Sequence, residues 1–323
     1  MDLIYCICAN KETSTVSVVF KNQEKSLSNL YWCPEKSTFQ NPIAHEDYEG
    51  NSPYINLRSL AADELLRIRR DTRESVLHDI RDRVEKVGSE LTGGGKYHVS
   101  ITGHGLGAAC ATIAGYFFAA DIELELHLAS AVRVFTYSSA KVGCESFKDG
   151  FRHLERSGRL LHARFTNTND PAPLLPPNTK GYYHVGLLIR LHTPNRFGRL
   201  RTRQALDVSY KETPSSLDIF LRLVRCSLSL VWKSGRISEY QHRLHFAREY
   251  RIALGSGGDL RFDRKRANLK TLNDYYLLKC RLSELSDISG KSQPGYTNML
   301  VFLLVSCLLT FEIALVMQWV SNW

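Results

Sequence analysis

The chain has 323 residues, 43% of them hydrophobic, with ten prolines and a formal net charge of +9, enough apolar sequence for one sizeable core plus appendages. No low-complexity tract or short internal repeat runs through it, which excludes solenoid, propeller and collagen-like architectures. The eight cysteines form no CxxC pair, so no metal site is expected and the usage fits a reducing compartment; the positive charge favours an anionic partner, but without interleaved stacking aromatics nucleic acid is not the expected one.

Asp2 precedes only a short apolar run, Leu3 to Ala9, which is no signal peptide. Residues 1–23 read as a strand pair, with Thr15–Phe20 the clearest strand. Residues 24–60 carry Pro34, Pro42 and Pro53 among mixed polar residues and read as an irregular covering loop. From about Asp63 to Leu91 the spacing of Val76, Leu77, Ile80, Val84 and Val87 predicts an amphipathic helix, ended by Gly93-Gly-Gly95.

The stretch Tyr97-His-Val-Ser-Ile-Thr-Gly103-His104-Gly105-Leu106-Gly107 then alternates β-branched and aromatic residues into a glycine-bracketed turn. Ala108 to Ala120 follows as a helix of small residues. Strand, sharp turn and helix make a nucleophile elbow, in which flanking glycines let the helix pass close to the strand and the central residue is held in a strained conformation. That central residue is Gly105, which has no side chain with which to attack. Two further strands are predicted at Ala131–Tyr137 and Leu161–Asn167, separated by a helical stretch through Phe147–Leu154. This alternation predicts an α/β fold with a mostly parallel sheet covered on both faces.

From the elbow onward the order of motifs resembles the class 3 (fungal-type) lipases of the α/β-hydrolase superfamily. Thr102-Gly-His-Gly-Leu-Gly-Ala108 is similar to that family's T-G-H-S-L-G-G, and Phe135 to Gly143 to its F-G-x-P-R-V-G. Asn167-Thr-Asn-Asp170-Pro-Ala-Pro-Leu-Leu-Pro-Pro177 resembles N-x-x-D-P-V-P-x-L-P-P, and Gly181-Tyr-Tyr-His184-Val-Gly186 resembles G-Y-x-H-x-G. The resemblance implies an α/β-hydrolase-like domain over residues 1–255, here without the helix and strand that usually precede the oxyanion strand, and lipid esters as the substrate class. It implies no cofactor.

In such enzymes Ser, Asp and His occur in that chain order; Ser attacks the ester carbonyl, His relays the proton and Asp fixes the imidazole tautomer. Asp170, just past a strand, is the implied acid. His245, in His245-Phe-Ala-Arg-Glu-Tyr-Arg-Ile-Ala-Leu254, matches the family's H-x-x-x-x-Y-x-x-A-L and is the implied base, with His242 as the alternative. His104 and His184 fall at positions read as structural. The oxyanion donors are implied at Leu106, after the nucleophile position, and at Asn22, where the family's V-x-F-R-G-T becomes Val18-Val-Phe-Lys-Asn-Gln23. Gly105 vacates the nucleophile position, and asparagine in place of glycine alters the backbone freedom of the oxyanion loop. His104 and Cys110 are the nearest substitutes for a nucleophile.

The C-terminal part is read on its own terms. Arg190, Arg196, Arg199, Arg201 and Arg203 lie beside Leu187-Leu-Ile189, and the apolar run Leu217–Trp232 carries scattered arginines, a pattern that suits a lid or membrane-surface element and equally a basic loop before a buried helix. After a polar helical linker over 256–298, Met299–Met317 is apolar apart from Glu312 and is flanked by Trp319 and Trp323. About 20 apolar residues span a bilayer core and tryptophan suits its interface, while a central glutamate costs roughly 2.5–3.5 kcal/mol. The expectation is a transmembrane tail anchor in an intracellular membrane, with the folded domain facing the cytosol because the lysines and arginines all precede the span. Two function classes follow: a membrane-anchored pseudoenzyme that binds lipid or a protein partner, and a working lipid esterase with a non-standard nucleophile.

Overall fold

The structure, a computed structural model, describes residues 3–21, 35–70, 72–167, 172–174, 176, 181–191 and 206–209. Its centre is a seven-stranded sheet in the order β1 (Tyr5–Asn10), β2 (Thr15–Phe20), β5 (His98–His104), β6 (Val132–Tyr137), β7 (Leu160–Asn167), β8 (Leu187–Leu191), β9 (Leu206–Ser209). Strands β2, β5, β6, β7 and β8 run parallel, and β1 and β9 are antiparallel additions at the two ends. The α/β expectation therefore holds. The hairpin expected over residues 1–23 is the β1–β2 pair, with Tyr5 opposite Phe20.

Where the sequence reads as an irregular loop at 24–60, the described part instead forms a second, two-stranded sheet of β3 (Lys36–Gln40) and β4 (Tyr54–Arg58). The predicted helix from Asp63 to Leu91 is two helices, α1 (Ser59–Leu66) and α2 (Val76–Thr92). Their apolar residues explain the break: Ala61, Ala62 and Leu65 bury one stripe, Leu77, Ile80 and Val84 another, and the one apolar residue between the two helices, Ile68, is exposed and joins neither. Ser75 caps α2 by accepting from the His78 amide, and Gly93, at φ 63°, closes it in the left-handed conformation.

Helix α3 (Leu106–Ala120) is buried around nearly its whole circumference, which explains its run of alanines and glycines. It packs across β2, β5, β6 and β7, with Gly115 set against Val134. The short α4 (Ile122–His127) is capped by the Asp121 carboxylate, and α5 (Glu145–Arg156) extends the helix expected through 147–154. Tyr116 of α3 joins the Phe147 and Phe151 rings of α5 and donates its hydroxyl proton to Asn41 Oδ1 at 2.7 Å, tying the β3 flank to the core. A chain of contacts, α1 with α2, α1 with α3 and α3 with α5, makes these helices one layer. The register places Val18, Ile101, Val134 and His162 on the face beneath it. Among the described residues, the helices form one layer over this face. The other face carries Ser17, Val19, Ser100, Thr102, Phe135 and Tyr137, none of them fully buried. Also among the described residues, no helix is long and apolar enough to cross a membrane; the 256–298 linker and the 299–317 segment lie outside them.

Candidate active site

Parallel pairing brings the C-terminal ends of β2, β5, β6 and β7 to one edge, since Phe20 pairs with Gly103, Gly103 with Thr136 and Thr136 with Arg164. That edge is where α/β sheets present their functional loops. Gly105 sits at the turn from β5 into α3 with φ 59° and ψ −119°, a conformation that costs a side-chain-bearing residue about 1–3 kcal/mol and that nucleophile elbows impose. Its amide donates to the Tyr137 carbonyl at 3.0 Å, and its own carbonyl accepts from the Ala108 and Ala109 amides. The elbow is formed, and its apex holds no side chain.

The flanking glycines have specific jobs. A Cβ on Gly103 would collide with the backbone of Gly107, and one on Gly107 would lie 2.5 Å from the Phe20 carbonyl oxygen. The second contact seats the end of β2 directly against the start of α3. Lys21, the last described residue before Asn22, belongs to this contact, and Leu106 is the first residue of α3, at the positive end of the helix. Asn22 itself, Asp170, His245 and His242 are outside the described residues.

The proposed substitutes for a nucleophile are poorly placed. Cys110 is fully buried in α3, its sulfur directed towards the Ala61 carbonyl of α1 at 4.0 Å, on the helical side of the sheet. His104 is on the opposite face from Gly103 and is paired with Tyr137. Ser138 and Ser139, at the end of β6, are both buried, and Ser139 donates to the neighbouring Ala140 carbonyl.

Two buried side chains next to the elbow edge bond to backbone carbonyls: Lys141, which sequence reasoning does not single out, and His184, which it reads as structural. Lys141, in the stretch resembling F-G-x-P-R-V-G, is buried and donates from Nζ to the Pro176 carbonyl at 2.8 Å. His184, from the stretch resembling G-Y-x-H-x-G, pairs through Nε2 with the Pro173 carbonyl. Both acceptors belong to the segment that follows Asp170. Lys141 from the β6 end and His184 from the approach to β8 therefore clamp the loop that carries the implied acid. Burial, then the nearby Arg164 charge, pushes the Lys141 ammonium down to about 8. Burial, then Arg164 and Lys141, holds the His184 imidazole well below its ordinary value. A neutral imidazole bonded to a carbonyl must be the Nε2–H tautomer, since only a donor satisfies that acceptor. The structural role expected of His184 is what the geometry gives. Beside the elbow, on the face away from the described helices, the Tyr137 and Phe165 rings stack with centroids 5.0 Å apart. Among the described residues, no group of three or more His, Cys, Asp or Glu side chains is set to hold a metal.

Residues 31–180 match the family Lipase (class 3). Over 99 residues the chain is 33% identical to a secreted mono- and diacylglycerol lipase A of Penicillium cyclopium, covering 31% of this chain and 29% of that one. The same figures hold for the protein of that name from Penicillium camembertii. The chain thus spans less than a third of the length of these curated relatives. Among solved structures, the mono- and diacylglycerol lipase of Aspergillus oryzae aligns at 18% identity over 66% of this chain and 69% of that one, with a TM-score of 0.44. The matched stretch, residues 31–180, is thus similar to class 3 lipases over a little less than half of the chain.

Proposed function

We propose that this chain is a class 3 lipase-fold protein, anchored in an intracellular membrane by residues 299–317, whose site binds membrane lipids or lipid esters without hydrolysing them. The observation that carries the reading is the elbow: its backbone holds the nucleophile geometry at Gly105, and glycine offers no attacking atom. Loss of one member of a catalytic triad removes most of the rate, leaving only the oxyanion hole and binding. Support for retained binding comes from the stacked Tyr137 and Phe165 rings beside the elbow, an apolar surface for an acyl chain, and from the Lys141 and His184 clamp on the Asp170 loop. The relatives' description as mono- and diacylglycerol lipases suggests acylglycerols as the lipid class. On this reading Asp170, His245 and Asn22, the residues that the resemblance implies for the site, serve binding rather than catalysis.

The rival reading, a working esterase with an unfamiliar nucleophile, draws on the preserved turn and clamp. Cys110 and His104 do not supply that nucleophile, for the geometric reasons given above. Turnover of mono- and diacylglycerols by the full chain in detergent separates the two readings. No rate above that of a Asp170→Asn/His245→Ala double variant is expected, together with saturable binding of a non-hydrolysable ether lipid. Hydrolysis abolished by the double substitution would establish the esterase instead.

A further inference from the structure

Far from the elbow, on β1 at the end of the sheet, Cys6 and Cys8 are both exposed, with their sulfurs 3.5 Å apart. The strand sets this pairing up. Alternation points residues two apart to the same side, and the register puts Cys6 opposite Val19 and Cys8 opposite Ser17, on the face away from the helices. Exposed Ile4 and Val19 flank the pair. We propose that Cys6 and Cys8 are a two-thiolate chelating site for a thiophilic divalent cation of the zinc and cadmium class.

Distances decide between chelation and a direct bridge. A tetrahedral cation with Zn–S bonds of about 2.3 Å holds two sulfurs about 3.8 Å apart, close to the 3.5 Å observed. A disulfide needs about 2.05 Å between sulfurs and at most about 6.8 Å between Cα atoms. Residues two apart on an antiparallel strand sit near that upper limit, at about 6.8 Å, so oxidation would have to pucker β1, whereas chelation needs only a small side-chain rotation. Because no third protein ligand stands beside the pair among the described residues, two coordination positions stay open to solvent or to an incoming donor. That makes the site exchangeable, unlike a closed structural site with four protein ligands. Each bound thiolate must shed its proton, so the cation binds more tightly as pH rises.

The test is cadmium titration of the reduced full chain in detergent, followed by the ultraviolet thiolate-to-cadmium charge-transfer band. Wild type, Cys6→Ser, Cys8→Ser and, as a control, Cys144→Ser are compared, with circular dichroism to verify folding. One equivalent of cadmium should be lost from the tight class in both the Cys6 and Cys8 variants and kept in the Cys144 variant. Loss of a direct ligand should exceed the ~10–100-fold in affinity that outer-shell partners are worth. Equal stoichiometry and affinity in wild type and both single variants would overturn the proposal, as would failure of the reduced wild type to bind cadmium at all.

Discussion

Replacing Lys141 by methionine should abolish an alkaline rise in stability that the wild-type chain shows. In the fold this ammonium titrates at about 8 against an ordinary 10.5. Its folded-state value is depressed, so the unfolded chain binds the extra proton between those two values and stability increases as pH climbs through the window. The gap of 10.5 to 8, at about 1.4 kcal/mol per pH unit, amounts to about 3 kcal/mol in full. About 2 kcal/mol of it should emerge between pH 7 and 9.5. Above pH 10 buried tyrosines oppose the trend, since burial raises Tyr97 and Tyr182 to about 12 and the folded state then keeps protons that the unfolded state loses. The window from 7 to 9.5 avoids them. Urea unfolding of wild type and Lys141→Met at half-unit steps reads the slope, which is informative even though methionine also strands the Pro176 carbonyl and lowers stability at every pH. Parallel slopes in the two proteins would refute the buried-ammonium account.

Three further expectations rest on separate features. His184, held neutral by burial, contributes stability that is present above pH 6.5 and lost as pH falls towards its depressed folded value; His184→Gln keeps a donor to the Pro173 carbonyl and should flatten the acid limb of a melting-temperature profile. Gly107→Ala gains about 1 kcal/mol of helix propensity but drives a methyl group to within 2.5 Å of the Phe20 carbonyl oxygen; overpacking at about 1–3 kcal/mol wins, so thermal denaturation should show a lower melting temperature. Residues 299–317, fused to a soluble reporter, should place it on an intracellular membrane resistant to carbonate extraction and accessible to cytosolic protease; a soluble reporter would remove the anchor from the account.

Some of this molecule is legible in its sequence for concrete reasons. The elbow declares itself because Gly103 and Gly107 are demanded by backbone contacts and Gly105 by its dihedral angles, so the spacing itself is a signature. The β1–β2 pair and α3 follow from unbroken alternation and from a run of small residues. By contrast β3 and β4 pass unnoticed because each is five residues long and the segment around them is punctuated by proline. Strand β8 hides because Leu187-Leu-Ile189, buried on both sides, shows no period and runs into arginines. The partners of the clamp are invisible for a different reason: Lys141 and His184, the latter read as structural, bond to proline carbonyls, and a backbone acceptor leaves no trace in residue types. Asp170 and His245 rest on motif resemblance, which supplies roles but no coordinates.

Reaction with a serine-directed fluorophosphonate tests most directly whether a formed elbow has lost only its nucleophile. Wild type should not label at any residue. Gly105→Ser, which places a hydroxyl at φ 59° and ψ −119° at a cost of about 1–3 kcal/mol, should label at the substituted position, and the label should disappear when His245→Ala is added. Labelling of the wild-type chain would contradict the account outright, and a folded Gly105→Ser variant that stays unlabelled would show that the residues around the elbow no longer compose a site.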